Sequence, residues 1–334
     1  MRRSTTAVLF LLIAVSTSLA APTGYTLLKT VPVPGDGGWD YLIVDEAARR
    51  VYISHGNQVE VLDADSYELK GTIADTKGVH GITLAPDLGR GFTSNGRADN
   101  VTIFDLKTLK SLGEVKTGKN PDAIIYDPSS KCVFAFNGGS KSATIIDAEK
   151  GEVAKTVDLG GRPEFAVADG AGHVFVNLED KNALVKIDAK KMSVLETWPL
   201  DPGEIPTGLA LDTKTKRLFV GCRNKLLVVV NAEIGKVVAK LPIGERVDAV
   251  AFAPQTGEIF SSCGDGTVTV VHADGDDKYS VVETIKTKVN SKTMALDRKN
   301  HRLFLPSADF KPADKKGGRP TVVPKTFAIL VYGK

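Results

Sequence analysis

The amino-acid sequence predicts an all-β fold, a seven-bladed β-propeller with four antiparallel strands per blade and the last blade closed by the N-terminal strand. Three observations predict it. One phrase recurs seven times at spacings of 41 to 44 residues. An aromatic residue stands six or seven positions after each anchor of that phrase, in a chain that is only 7% aromatic. Short β-rich runs bounded by Gly, Asn, Asp or Pro fill each period, and helical periodicity is absent after residue 20.

The chain begins with Arg2 and Arg3, then the apolar run "AVLFLLIAV", then "SLA" before Ala21. A basic start, a short apolar stretch and small residues at the cut are the parts of an export signal. The run is too short for a comfortable membrane span. Residues 1–20 are therefore expected to be removed on the general secretory route, and 21–334 to form a single propeller domain in the periplasm or outside the cell. No cysteine follows the cleavage point, which argues against lipidation. Without Arg2 and Arg3, 41 basic residues face 40 acidic ones. No overall field then favours nucleic acid or a membrane surface.

The anchors are Asp45, Pro86, Asp127, Asp169, Asp212, Ala253 and Asp297. The aromatics that follow are Tyr52, Phe92, Phe134, Phe175, Phe219, Phe260 and Phe304. A third run comes next ("VEVLDA", "VTIFDL", "ATIIDA"), and a fourth in six of the seven copies ("ELKGTI", "EVAKTV"). The seventh copy ends at "FAILVYGK" without its fourth strand, while "TLLKTV" at 26–31 is a spare strand of the same type. Pairing the two closes the ring and removes an edge.

The phrases Tyr52-Ile53-Ser54-His55, Phe92-Thr93-Ser94-Asn95 and Phe134-Ala135-Phe136-Asn137 resemble the Tyr-Val-Thr-Asn repeat. "DA" after the third run, and "GKNP" and "GGRP" before first strands, fit as well. The chain thus resembles the YVTN-family, YncE-like seven-bladed propellers over essentially all of residues 21–334. The resemblance implies the fold. It leaves function open, because propellers serve as hydrolases, dehydrogenases, lectins and docking platforms. It also raises single-stranded DNA as a partner.

Two rings of candidate site residues follow from the register of the repeats. The first lies three positions past each aromatic: His55, Asn95, Asn137, Leu178, Cys222, Cys263 and Ser307. Short polar side chains suit a strand end. His55 is then either a turn residue in an Asn slot or part of a polar ring that touches a ligand. Cys222 and Cys263 hold equivalent slots in adjacent blades and are read as free thiols, a disulfide or a soft-metal pair. Three cysteines make no disulfide framework. The second ring lies five positions before each anchor: Asp40, Gly81, Asp122, Glu164, Thr207, Asp248 and Lys292. Trp39, His80, Arg162, Glu204, Arg246 and Asn290 adjoin it. First strands line a propeller's channel, so this ring rims one mouth.

Between Ser307 and Thr326 runs "ADFKPADKKGGRPTVVPK", far longer than the matching loops elsewhere. A loop of that length is usually functional or disordered, and Phe310 is placed to act as a flap. "GEVKTGKN" lacks the Ser or Thr and the helix of a P-loop. No GxSxG, HExxH or paired CxxC is present. No cofactor and no catalytic residue are assigned. The leading expectation is a non-enzymatic binding protein, monomeric and without a membrane span in its mature chain. Its ligand would be a protein, a cell-envelope component or a small molecule at the mouth, held by Trp39, Asp40, His55, His80, Asp122, Arg162, Glu164, Arg246 and Asp248. The rival is a metal-dependent, lactonase-type hydrolase. There Asp40, Asp122, Glu164 and Asp248 would supply oxygen ligands and His80 a base.

Overall fold

The computed structural model describes residues 24–35, 37–312 and 321–334. The leader expected at 1–20 lies outside the described residues. Seven antiparallel sheets of four strands surround a common axis, with one short two-stranded ribbon beside them. Blades 1 to 6 are continuous in sequence, at 39–73, 79–116, 121–158, 163–199, 206–242 and 247–286, and each is ordered from its first strand outward to its fourth. Blade 7 runs Ala295–Asp297, Arg302–Ser307, Ala328–Gly333 and then the N-terminal strand Thr26–Pro32. That strand pairs from Thr26 against Gly333 to Pro32 against Ala328, so the ring closes as expected. Among the described residues no helix is long and apolar enough to cross a membrane.

The recurrent aromatics are wedges between blades. All seven are no more than 2% exposed. Tyr52 of blade 1 packs with Val79 and Ile82 of blade 2, and Phe92 of blade 2 with Ile124 and Tyr126 of blade 3. The pattern continues round the ring to Phe304 of blade 7, which packs with Leu42 and Val51 of blade 1. A large flat side chain at one fixed position fills the widening gap between twisted sheets. This explains why the aromatic is the most regular feature of the sequence.

The recurrent aspartates are turn caps. Asp45 accepts the backbone N–H groups of Ala47 and Ala48 at the end of a first strand. Asp63, Asp105, Asp147 and Asp188 do the same after third strands. These are short local bonds that fix a tight reversal. Register moves one anchor: Thr83 pairs with Phe92, as Ile43 pairs with Tyr52, so the blade 2 equivalent of Asp45 is Ala85 and not Pro86.

The turns between first and second strands are clasps. The Arg50 guanidinium donates to Leu106 O, and that of Arg90 to Ala148 O at 3.0 Å, each reaching the next blade. Where blade 7 meets blade 1 the clasp is densest. Arg49 binds Asp65 at 2.8 Å and the fully buried Asp297 at 2.6 Å, while Arg298 binds Glu46 at 2.9 Å.

Candidate functional site at the channel mouth

Strand pairing decides which side chains enter the channel. Trp39 pairs with His55, Val79 with Asn95, Pro121 with Asn137, Pro163 with Leu178, Pro206 with Cys222 and Val247 with Cys263. After each pair the register slips, and the next residue leaves the ladder. Such bulges re-aim a side chain. In blade 1 the Ser54 hydroxyl holds the bulge, accepting Asp40 N–H at 3.0 Å and donating to Tyr41 O at 2.9 Å. The residues so displaced are Asp40, His80, Asp122, Glu164, Thr207 and Asp248, and Lys292 takes the matching place in blade 7. His80, not Gly81, is thus the blade 2 member of the ring.

Four carboxylates converge there with fewer cations than they need. His80 Nδ1 lies 2.6 Å from Asp40 Oδ2 and 3.9 Å from Asp122 Oδ1. Lys292 bonds Asp248, and Arg223 reaches both Asp248 at 3.7 Å and Glu179 at 3.3 Å. Arg162 also binds Glu179, at 3.3 Å. Asp122 Oδ1 and Glu164 Oε2 are buried without a hydrogen bond. Burial, with Asp40 nearby, pushes the Asp122 carboxyl up to about 7. Burial and the neighbouring acids raise Glu164 well above the usual carboxylate range. Burial raises Asp248 too, against the pull of Lys292. For His80 burial opposes the charge, but the Asp40 bond and the Asp122 field outweigh it and the imidazole is raised.

The mouth has a floor. Tyr41 of blade 1 crosses the axis, and its hydroxyl donates to Glu164 O of blade 4 at 3.1 Å. Its ring lies 5.2 Å from that of Phe165. Beneath is an apolar cavity of about 150 Å³, lined by Ile82, Ile124, Ala166 and Met294 among others. The site is therefore a cup, closed below by two aromatic rings.

One wall of the cup is aromatic. Trp39 stacks on Phe327 at 4.8 Å and lies 6.0 Å from Phe310. Phe310–Lys311 and Thr321–Val322 form the small ribbon, which stands at the mouth. Between them is a pocket of about 690 Å³ lined by Gly38, Trp39, Arg246, Val289, Asn290, Lys292, Phe310 and Val322. Arg246 donates to Asn290 Oδ1 at 2.9 Å and to Gly264 O.

No family model matches the chain. Antigen Lp49 of Leptospira interrogans is 25% identical over 235 residues, 66% of this chain and 49% of that protein. The uncharacterised protein YncE of Salmonella typhi and of Salmonella typhimurium is 25% identical over 193 residues, 55% of this chain and 54% of YncE. The chain is a seven-bladed propeller that is similar to YncE over about half its length. It spans about half the length of these curated relatives. A chain of Kuenenia stuttgartiensis hydrazine synthase superposes with a TM-score of 0.72, covering 87% of this chain and 97% of that one. A chain of a mitotic checkpoint complex gives 0.77, covering 99% of each. Both are 15% identical, a likeness of fold alone.

The propeller places the sequence-predicted residues in three groups. Asp40, His80, Asp122, Glu164 and Asp248 line the cup. Trp39, Arg246 and Arg162 lie on its wall and rim, with Arg162 half-exposed. His55 is inside the blade wall, 2% exposed, with its ring 4.3 Å from Phe327. The whole first ring shares that burial, so it forms no polar rim. Asn95 and Asn137 donate to Thr102 and Thr144 on the neighbouring strands. Cys222 and Cys263 are free, buried thiols pushed up to about 12 by burial, and Cys132 is a third. Phe310 stands against Trp39 as a flap would. Lys315, Lys316 and Arg319 of the basic loop lie outside the described residues. Sequence reasoning missed Tyr41, Phe165, Glu179, Arg223 and Phe327. Tyr41 and Phe165 had a signal, since each adjoins an acid of the ring.

Proposed function

We propose that this propeller acts by binding, and that it recognises a small organic acid with a flat or apolar body. The observation that carries this is the pocket between Trp39, Phe310 and Val322, with Lys292 and Arg246 on its wall. Its size and its mix of apolar surface with a few polar groups are those of a small-molecule site. Arg246 is held by two neutral acceptors, so its positive charge remains for a ligand carboxylate.

Two rivals are less well supported. A hydrolase would use His80 Nε2 as base with Asp40 orienting its Nδ1, but no nucleophile is bonded to that ring among the described residues. Single-stranded DNA needs a track of cations for several phosphates, whereas this pocket holds two, Arg246 and Lys292, and Lys292 is already bonded to Asp248. The leader-like segment 1–20 supports export to the periplasm or beyond.

The chain has two tryptophans, Trp39 and Trp198, so a Trp198→Phe background isolates Trp39 fluorescence. Aromatic and aliphatic carboxylates are titrated against it. Saturable quenching that is lost in Arg246→Gln and Phe310→Ala is expected. No quenching by any acid, or quenching indifferent to both changes, would overturn the proposal. An oligonucleotide titration by anisotropy tests the DNA rival on the same protein.

A further inference from the structure

Three donors in the cup are left unused by an organic acid. They come from equivalent bulges of blades 1, 2 and 3, on adjoining first strands of a closed ring. We propose that Asp40, His80 and Asp122 form a binding site for one divalent transition-metal ion of the zinc type. This goes beyond the organic-ligand proposal and does not depend on it.

Geometry is the first support. One ligand atom from each residue can be chosen so that all three lie within 4.8 Å of one another. Ligands of a tetrahedral zinc ion stand about 3.3 Å apart, given bonds of about 2.0 to 2.1 Å. The present separations of 2.6 Å and 3.9 Å between His80 Nδ1 and the two carboxylates bracket that value. Small rotamer shifts would equalise them.

An unsatisfied buried atom is the second support, and it is independent of the clustering. Asp122 is 9% exposed, and its Oδ1 points at the imidazole without a hydrogen bond. Leaving a carboxylate oxygen buried and unpaired is costly. The cations of the cup do not relieve it. Lys292 is committed to Asp248, Arg223 to Asp248 and Glu179, and Arg162 to Glu179. The Tyr41 hydroxyl donates to Glu164 O. A proton on His80 Nδ1 serves Asp40 and still leaves Asp122 Oδ1 without a donor. A metal ion between the three serves both carboxylates and the ring nitrogen at once.

Ligand chemistry selects the ion. Ca²⁺ and Mg²⁺ take all-oxygen sets of six or more, whereas one imidazole and two carboxylates suit zinc and its neighbours. Three protein ligands leave at least one position open toward the cup.

The test uses the tag-free chain, stripped with chelator and titrated with Zn²⁺, Mn²⁺ and Ca²⁺ by calorimetry at neutral pH. One Zn²⁺ per chain is expected, with Ca²⁺ far weaker. His80→Gln and Asp122→Asn should each weaken Zn²⁺ binding at least roughly 10-fold. His272→Gln, which alters a surface His–Asp pair outside the cup, should leave it unchanged. Co²⁺ should give a ligand-field spectrum that both cup changes abolish. Thermal unfolding of each variant checks that the ring is intact. If Asp122→Asn does not fold, His80→Gln decides alone, because that side chain is 30% exposed. Absence of stoichiometric Zn²⁺ uptake, or uptake that both cup changes leave intact, overturns the proposal.

Discussion

Buried carboxylates stand at opposite ends of this ring, and they are held in opposite ways. On the underside, where blade 7 meets blade 1, Asp297 is fully buried and fully served. Arg49 donates to both its oxygens, at 3.0 and 2.6 Å, and Lys299 N–H adds a third bond at 3.2 Å. At the mouth, Asp122 and Glu164 each keep a buried oxygen without a donor. The protein can satisfy a buried carboxylate, and at the seam it does. At the mouth those oxygens belong to side chains that line a cup, which supports the proposed sites. Burial without a partner points to a site only beside such a cavity, since Asp127 at a turn also keeps a buried oxygen without a hydrogen bond.

The comparison breaks most directly at the seam. Deleting the N-terminal strand, residues 26–32, uncovers the fully paired strand Ala328–Gly333 as an open edge. The largest effect is expected here: a melting temperature well below that of any point variant, and aggregation on size exclusion. An unchanged melting curve would show that this strand does not close the ring. Next comes Asp297→Ala, which strands the Arg49 charge against blade 7. A loss of about 3 to 5 kcal/mol in urea unfolding is expected for breaking a buried pair. Arg49 keeps Asp65 as a partner, which puts the loss at the lower end of that range.

The same comparison shows what the sequence could reveal. The closing strand and the wedges were legible as copies of one repeat, through the aromatics, the capping aspartates and the spare strand, whereas the Arg49–Asp297 clasp was not. Periodicity reports what every blade must do, which is to pack and to turn. The cup is where the blades differ, with Asp, His, Asp, Glu, Thr, Asp and Lys in one slot. An alignment sees that slot but cannot see pairing. It took Gly81 for His80 because a one-residue offset in blade 2 hides behind Pro86. It also took His55 for a candidate, because a strand end looks the same in sequence whether it is buried or exposed. Tyr41 was unreadable as a floor, since only the closed ring brings blade 4 opposite blade 1.

At the mouth the expected signs reverse. Asp122, Glu164 and Asp248 are all harder to ionise folded than unfolded. Below about pH 4 both states are protonated. As pH rises from there to about 7, the unfolded chain ionises first and gains the advantage, so stability falls. His80 adds the same slope, because its raised pKa gives stability that is lost as pH climbs through the folded value. Metal-free protein should therefore melt at lower temperature at pH 8 than at pH 5. Glu164→Gln should flatten that slope and raise stability at neutral pH by about 1 to 3 kcal/mol. A melting temperature that rises across this window would contradict the unsatisfied-acid account. The turn caps do not interfere, since Asp63, Asp105, Asp147 and Asp188 are depressed and titrate below it.

The smallest effect is expected at the rim, and it sharpens the contrast between paired and unpaired acids. Glu179 is 14% exposed and is held by two arginines, Arg162 and Arg223, each at 3.3 Å. Either alone can neutralise it. Arg162 is 49% exposed, so its own ion pair is screened and worth little. Arg162→Ala should change stability by no more than about 0.5 kcal/mol. Arg223→Ala should cost somewhat more, because Arg223 also reaches Asp248. Removing both leaves Glu179 without a cation, beside a Glu164 that already lacks a donor. The double variant should lose more than the sum of the singles, by about 0.5 to 3 kcal/mol of coupling. Additive losses would mean that Glu179 does not depend on the pair. The rim would then be a solvated surface, and the cup below it the whole of the charged site.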